Sequence, residues 1–226
     1  MSKRDRMQSR AQRKIEEMRR QQRAQQRRRL LLLIAIPLTL VIVAAVITAT
    51  LLSSNTAPGR KAPPTALLTG LSSMAQGRTV DGVGCETSEQ TAYHIHAHLA
   101  IFVSGSQRLI PAGVGIPGGT PTPQPGGPFV GGGTCLYWLH THDQSGVIHI
   151  ESPAPKLYTL GNFFDVWGQP LTASQVGPAR GPVTAYVNGH QYHGNPQSIV
   201  LHAHTVIQLD IGTTAAPRHY VFPAGL

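Results

Sequence analysis

The residues best able to do chemistry stand in one short run of the sequence, between Trp138 and Glu151. The run holds four candidate ligands, which are His140, His142, His149 and Glu151. Imidazole nitrogens and carboxylate oxygens are donors that transition metals commonly take from proteins. The segment 143–146, Asp-Gln-Ser-Gly, is rich in turn-forming residues and predicts that the run folds as a β-hairpin.

The register of that hairpin decides whether the histidines share a face. A loop of two or four residues places His140 directly opposite His149, and it places His142 opposite Val147 on the same face. Any other even-length loop keeps this arrangement, and an odd-length loop breaks it. Because the β-carbons of opposite residues lie about 5 Å apart, we predict that His140, His142 and His149 are metal ligands.

A second histidine row precedes this run. In the alternating segment from Tyr93 to Val103, three histidines fall on one face of a predicted strand, namely His94, His96 and His98. Neighbouring members are about 6.7 Å apart at the backbone and can share an ion, whereas His94 and His98 cannot easily do so. We therefore expect one or two of them to complete the site, or a second site to form.

The remaining histidines carry a weaker signal. His202 and His204 repeat the His-Ala-His pattern of positions 96–98, and they are further candidate ligands. Nothing longer repeats, so the echo does not indicate a duplicated unit. The lone residues His190, His193 and His219 are interpreted as ordinary surface or hydrogen-bonded histidines.

Two acidic residues of the run have alternative roles. Glu151 is a candidate metal ligand, a candidate general base, or a partner that orients a liganding histidine, and the strand alternation does not choose between these roles. Asp143 is expected to cap its own turn. If the site were catalytic, either carboxylate would be the candidate base.

The positive charge of the chain is confined to its first 29 residues. Twelve of the 19 Lys and Arg residues lie there beside three acids, which gives this tail a net charge of +9 and leaves the remainder neutral. No aromatic residue interrupts the basic run, so a nucleic-acid partner is not favoured. The uncharged residues 30–52 that follow are long enough to cross a lipid bilayer as a single transmembrane helix.

The basic flank also predicts an orientation. Positive residues crowd the N-terminal end of the span, so we expect the N-terminus in the cytoplasm and the chain beyond residue 52 outside, held at the cell membrane. A cleaved signal peptide is the alternative, although its apolar region is usually about 7–15 residues long. The expected order is a basic tail (1–29), the span (30–52), a linker (53–81) and an extracytoplasmic histidine-rich domain (82–226).

The patterning of residues 82–226 predicts a mostly β domain, a small sandwich or barrel with one or two short helices. One helix is expected over Leu160–Trp167, with Thr159 as its N-cap, Gly168 at its end and its aromatic side chains in the core.

Two segments of the domain carry turn signals. Asn188-Gly189 predicts a type I′ turn between two strands of a hairpin. Residues 113–133 are dense in Gly and Pro and predict an extended surface loop without regular structure.

The domain has two cysteines, Cys85 and Cys135. An isolated pair in an oxidising compartment usually forms a disulfide, and we predict one here. Ligation of copper by Cys135 is the alternative. A type 1 copper site usually has a weak axial Met, however, and every Met of the chain lies outside the domain.

The run from Trp138 to Glu151, with the His-x-His-x-His strand before it, resembles a group of uncharacterised, membrane-anchored bacterial proteins that have no assigned activity. The likeness covers roughly residues 93–170 and implies no particular fold, substrate or catalytic residue. Cupins also pair a His-x-His strand with later Glu and His ligands, but the Gly and Glu expected around His96 and His98 are missing. A cupin-like barrel is a secondary alternative.

Together these features predict a single-pass, extracytoplasmic domain that binds zinc, copper, iron or nickel for sequestration, delivery or sensing. A metal-dependent hydrolase or oxidase is the first alternative, in which three protein ligands leave a position for water. A structural or pH-sensing envelope domain without metal is the second. The partners that the sequence indicates are the lipid bilayer and the metal ion, and it names no protein partner.

Overall fold

The computed structural model describes residues 66–226, so the predicted basic tail and membrane span lie outside the described residues. Within residues 66–226, no helix has the length and apolar character needed to cross a membrane. The fold of this part of the chain is mostly β, with one short α-helix.

Strands are the dominant element, and the longest of them carries the first histidine row. They are β1 (Cys85–Glu86), β2 (Tyr93–Val103), β3 (Ser106–Arg108), β4 (Thr122–Gln124), β5 (Gly127–Phe129), β6 (Leu136–Tyr137), β7 (Leu139–His140), β8 (Val147–Ser152), β9 (Leu171–Thr172), β10 (Gln175–Val176), β11 (Ala179–Arg180), β12 (Val183–Val187), β13 (His190–Tyr192) and β14 (Val206–Ile211). The α-helix α1 spans Leu160–Trp167, and a 3-10 helix spans Pro196–Ser198.

The main sheet is built around β2. Its strands follow the order β13-β12-β14-β2-β8-β7, and β3 pairs with the end of β2. Neighbouring strands are antiparallel except for β14 and β2, which run parallel. The strand with the first histidine row is therefore central, with β8 and β7 on one side and β14 on the other. This arrangement is consistent with a β-sandwich-like domain.

The alternation of side chains gives β2 two different faces. Ala97, Leu99 and Ile101 belong to the main hydrophobic core and are at most 2 % exposed. The opposite face carries the histidines, and in the middle of the strand His96 and His98 are also buried. The sheet therefore holds polar imidazoles in a largely water-excluded layer.

The helix α1 packs into the main core and confirms the predicted helix. Thr159 and Asn162 form a capping box, in which Asn162 Oδ1 accepts from the Thr159 N–H at 2.9 Å and Thr159 Oγ1 accepts from the Asn162 N–H at 3.4 Å. Gly168 ends the helix in the left-handed conformation, with φ of 69°. The predicted aromatic core residues are fully buried, namely Phe163, Phe164 and Trp167.

The two turn segments have different outcomes. The Asn188-Gly189 turn is confirmed, because both residues have positive φ and the strands pair on either side of it. The expectation that residues 113–133 lack regular structure is wrong, since β4 and β5 form a hairpin there. The apolar side chains of Val114, Ile116 and Val130 are buried and anchor this Gly/Pro-rich segment to the domain.

The predicted disulfide between Cys85 and Cys135 is present. It lies where β1 pairs with β6, in the register Cys85 opposite Tyr137. The bond therefore fixes the chain directly ahead of β7, the strand that ends in His140.

Candidate metal centre

Three adjacent strands bring the predicted ligands into one row. His96 of β2 pairs with His149 of β8, and His149 pairs in turn with His140 of β7. Residues directly opposite in antiparallel strands share a face, and neighbouring strands lie about 4.8 Å apart. The predicted pairing of His140 with His149 is confirmed. In the same register, His94 pairs with Glu151.

His142 reaches the cluster by a different route. The predicted pairing of His142 with Val147 is wrong, because the ladder between β7 and β8 ends at His140. The backbone of Thr141 leaves the hairpin and pairs with another segment, donating its N–H to the Val114 carbonyl at 2.9 Å. The ring of His142 still meets its neighbour, with 3.2 Å between His142 Nε2 and His140 Nε2.

The imidazole nitrogens are closely spaced. His96 Nε2 lies 3.0 Å from His94 Nε2 and 3.2 Å from His149 Nδ1. The histidine donor atoms form two groups, each with its members within 4.8 Å of one another. One group is His94, His96 and His149, and the other is His140, His142 and His149. A tetrahedral ion with bonds of about 2.0 Å holds its donors about 3.3 Å apart. These histidine clusters therefore have the spacing needed to hold a metal ion.

The backbone fixes the orientation of two of the rings. His140 Nδ1 lies 2.8 Å from the Tyr137 carbonyl oxygen, and His142 Nδ1 lies 2.6 Å from the Val130 carbonyl oxygen. Because a carbonyl can only accept, Nδ1 carries the proton in both rings, and in the neutral imidazole Nε2 then presents a lone pair. The two lone pairs face each other in a buried place. Histidine ligands in metal sites are usually held through the opposite nitrogen in this way.

Glu151 lies among the imidazoles and is only 2 % exposed. Its Oε1 is 3.1 Å from His94 Nε2, 3.3 Å from His149 Nδ1 and 4.0 Å from His140 Nε2. Its Oε2 is buried and has no hydrogen-bond partner among residues 66–226. Burial raises the pKa of Glu151, but the hydrogen bond with His149 and the interactions with the neighbouring histidines outweigh burial, and the net pKa is lowered. The side chain is therefore a carboxylate at neutral pH.

Burial keeps two of the imidazoles uncharged. It lowers the pKa of His140 to about 3, with further lowering by His149 and His142. It also lowers the pKa of His96 to about 4, again with help from neighbouring histidines. Neutral imidazoles and an ionised carboxylate are the forms that bind metals, so these donors are in their binding state at pH 7.

His98 lies on the same face of β2 but outside the cluster. Its Nε2–H donates to the Ser145 carbonyl at 3.1 Å, and its ring stacks on Tyr220 with 3.6 Å between the centroids. It belongs to neither histidine group found in the described part of the chain. In the adjoining turn, Asp143 Oδ1 accepts from the Ser145 N–H at 2.9 Å, so Asp143 caps its own turn as expected.

The C-terminal histidines are also apart from the cluster. His202 and His204 are exposed and belong to no donor group within residues 66–226. His204 Nε2 lies 2.9 Å from the Leu226 carbonyl oxygen, and its ring stacks on Phe222. The three lone histidines are exposed as well, namely His190, His193 and His219.

Two contributors to the site are not evident in the sequence patterns. Glu89 Oε1 lies 3.5 Å from His142 Nε2, and Glu89 forms a donor group with His140 and Glu151. Its only signal is an acidic side chain shortly before the first histidine strand. The Val130 carbonyl, which orients His142, comes from the Gly/Pro-rich segment, and a backbone acceptor leaves no signal in a sequence.

No protein-family model matches the chain, and no curated protein or solved structure matches it at a significant level.

Proposed function

We propose that this protein binds a transition metal ion through the histidine cluster of β2, β7 and β8, and that it serves in sequestration, delivery or sensing of the metal. The observation that carries the proposal is the backbone anchoring of His140 and His142, which turns two Nε2 lone pairs toward each other. Two acceptors cannot hydrogen-bond to each other, whereas a cation binds both. Zinc, copper, iron and nickel all accept imidazole, so the proposal covers these four ions.

The surroundings of Glu151 favour binding over catalysis. A general base has to reach a substrate or water molecule, whereas Glu151 is buried and its Oε1 contacts the nitrogens of His94 and His149. Its lowered pKa keeps it anionic, which suits a ligand of a cation. We therefore assign Glu151 to the ligand set.

Metal uptake by the purified full-length chain tests the proposal. Protein incubated with zinc, copper(II), nickel or iron(II) and then desalted should retain at least one ion per chain for at least one of these metals. His140→Ala should retain fewer ions per chain than the wild type, because one of the two opposed lone pairs is removed. The exposed His219→Ala is the matched control and should bind like the wild type. If the wild-type chain retains less than one equivalent of all four metals, the proposal fails and a pH-sensing or structural role replaces it.

We also propose that residues 30–52 hold the domain at the outer face of the cell membrane. The Cys85–Cys135 disulfide supports this placement, because disulfides persist mainly in oxidising compartments. Protease added to intact cells or spheroplasts should digest the domain. A protected domain together with an accessible N-terminal tail would reverse the orientation, and a mature chain that begins after residue 50 would indicate a cleaved signal peptide.

A further inference from the structure

The cluster offers more donors than one tetrahedral ion can take. Zinc in a closed protein site usually binds four ligands. Here the donors form three overlapping groups, which are His94, His96, His149, then His140, His142, His149, and then Glu89, His140, Glu151. The surplus is not spread evenly, because the β2 histidines lie on one side of His149, and His140 of β7 lies on the other side together with His142.

We propose that the cluster binds two metal ions that share Glu151 as a bridging ligand. This inference rests on the metal-binding function proposed above. The first ion takes the set His94, His96, His149 and Glu151. The second ion takes the set His140, His142, Glu89 and Glu151.

The position of Glu151 supports a bridge. Its Oε1 lies 3.1 Å from His94 Nε2 in the first set and 4.0 Å from His140 Nε2 in the second set. Its Oε2 is buried without a hydrogen-bond partner in the described part of the chain, which is costly for a charged oxygen unless a cation meets it. A carboxylate has one oxygen for each of two ions, and the ions of two-metal sites lie about 3.5–4 Å apart.

Exposure supports two separate sets. Each set has one solvent-exposed member, since the side chains of His94 and Glu89 are 38 % and 43 % exposed. The other members of both sets are buried or partly buried. Each set therefore reaches the solvent through a different side chain, and Glu151 and Glu89 supply two negative charges to offset those of the cations.

Zinc stoichiometry tests this proposal on the full-length chain. After loading with excess zinc and desalting, native mass spectrometry should count two zinc ions per wild-type chain. The double variant His94→Ala/His96→Ala should retain one ion, and so should His140→Ala/His142→Ala. The matched control His202→Ala/His204→Ala removes a His-x-His pair of the same spacing from an exposed turn, and it should retain two.

Copper(II) provides a second readout that does not depend on the double variants. Two copper(II) ions joined by one carboxylate should give a spin-coupled spectrum in electron paramagnetic resonance. Glu151→Gln, which keeps the shape and removes the negative charge, should give uncoupled copper(II). If a double variant fails to fold, as circular dichroism would show, the wild-type zinc count and copper spectrum still decide the matter.

The outcomes separate this inference from the proposed function. A wild-type chain that saturates at one zinc ion, which both histidine double variants lose, would overturn the two-ion proposal and leave the metal-binding function standing. Two zinc ions that neither double variant loses would place the metal elsewhere and overturn both. Failure of the wild-type chain to bind any metal would also overturn both.

Discussion

The tripeptide His-Ala-His occurs twice in this protein, and its two copies have very different surroundings. The first copy, at positions 96–98, lies within β2, where β8 places His149 opposite His96. The second copy, at positions 202–204, lies on a turn before β14, with both histidines exposed and His204 at a φ of 59°. The motif alone therefore does not make a donor cluster. The neighbouring strand has to supply donors at the opposing positions.

The same rule operates inside the first copy. His96 and His98 share a face and are both buried, but the residue opposite His98 is Val147 in β8 and Val206 in β14. With no donor across from it on either side, His98 bonds instead to the Ser145 carbonyl. His98 lies only two residues after His96, yet His96 is a candidate ligand and His98 is a hydrogen-bonded histidine outside the cluster.

The largest effect on stability is expected from removing the Cys85–Cys135 disulfide. This bond fixes the chain ahead of β7, and there is no disulfide near the second copy. The double variant Cys85→Ala/Cys135→Ala opens a loop with a sequence separation of 50. In the chain-entropy model this should lower the free energy of unfolding by about 4 kcal/mol. Urea denaturation of the metal-free protein measures the effect, with His202→Ala/His204→Ala as the control. A loss below about 1 kcal/mol would show that the unfolded chain does not gain the freedom that this model assumes.

A glycine substitution should disturb the candidate metal centre through β7, the strand that carries His140. Gly115 has a φ of +76°, and a β-carbon there would collide with the Leu139 carbonyl and with His140. Gly115→Ala should cost roughly 2–3 kcal/mol in unfolding free energy and weaken zinc binding, because β7 has to move. Gly132→Ala is the matched control, since it has open space and belongs to the same Gly/Pro-rich segment. Equal stability of the two variants would mean that β7 tolerates the displacement.

Much of the candidate metal centre and its surroundings could be predicted from the sequence. Strand alternation predicted the shared face of His94 and His96, and the turn residues predicted the pairing of His140 with His149. Local signals also predicted the helix with its two caps and the disulfide, because each of these depends on residues close in sequence or on a single pair.

The missed features depend on contacts between distant parts of the chain. The route of Thr141 away from the hairpin is set by Val114, which no local pattern around Thr141 reveals. Because β14 pairs in parallel with β2, His204 lies on a turn beside β2, although its His-Ala-His tripeptide is the same as the one within β2. Glu89 joins the cluster only because the chain before β2 folds back toward His142.

Low pH should destabilise the metal-free protein through the two buried histidines of the first copy, His96 and His98. The pKa values of His96 and His98 are lowered to about 4, chiefly by burial, so between pH 6.5 and 4 the unfolded chain binds protons that the folded chain does not. Stability of the metal-free protein therefore falls as the pH drops through this window, by about 2 kcal/mol for each such histidine between pH 7 and 5.

His98→Gln isolates one of these contributions. The Gln side chain keeps a donor for the Ser145 carbonyl but does not titrate, so about 2 kcal/mol of the pH dependence should disappear. Urea denaturation at pH 7 and pH 5 in the presence of a chelator measures both proteins. An unchanged pH dependence would show that His98 is protonated in the folded protein at pH 5.

The smallest effect is expected at the second copy. The exposed His204 stacks on Phe222 with 4.6 Å between the ring centroids and hydrogen-bonds to the Leu226 carbonyl. His204→Ala should therefore cost at most about 1 kcal/mol of unfolding free energy, the usual value of one such hydrogen bond, and leave zinc binding unchanged. His204→Gly separates the contribution of the side chain from that of the backbone. Glycine adopts the left-handed conformation of this position without strain, and the N–H that donates to the His96 carbonyl at 2.7 Å remains. If either variant lowers zinc binding as much as His96→Ala does, the second copy contributes to the site and the contrast between the two copies is wrong.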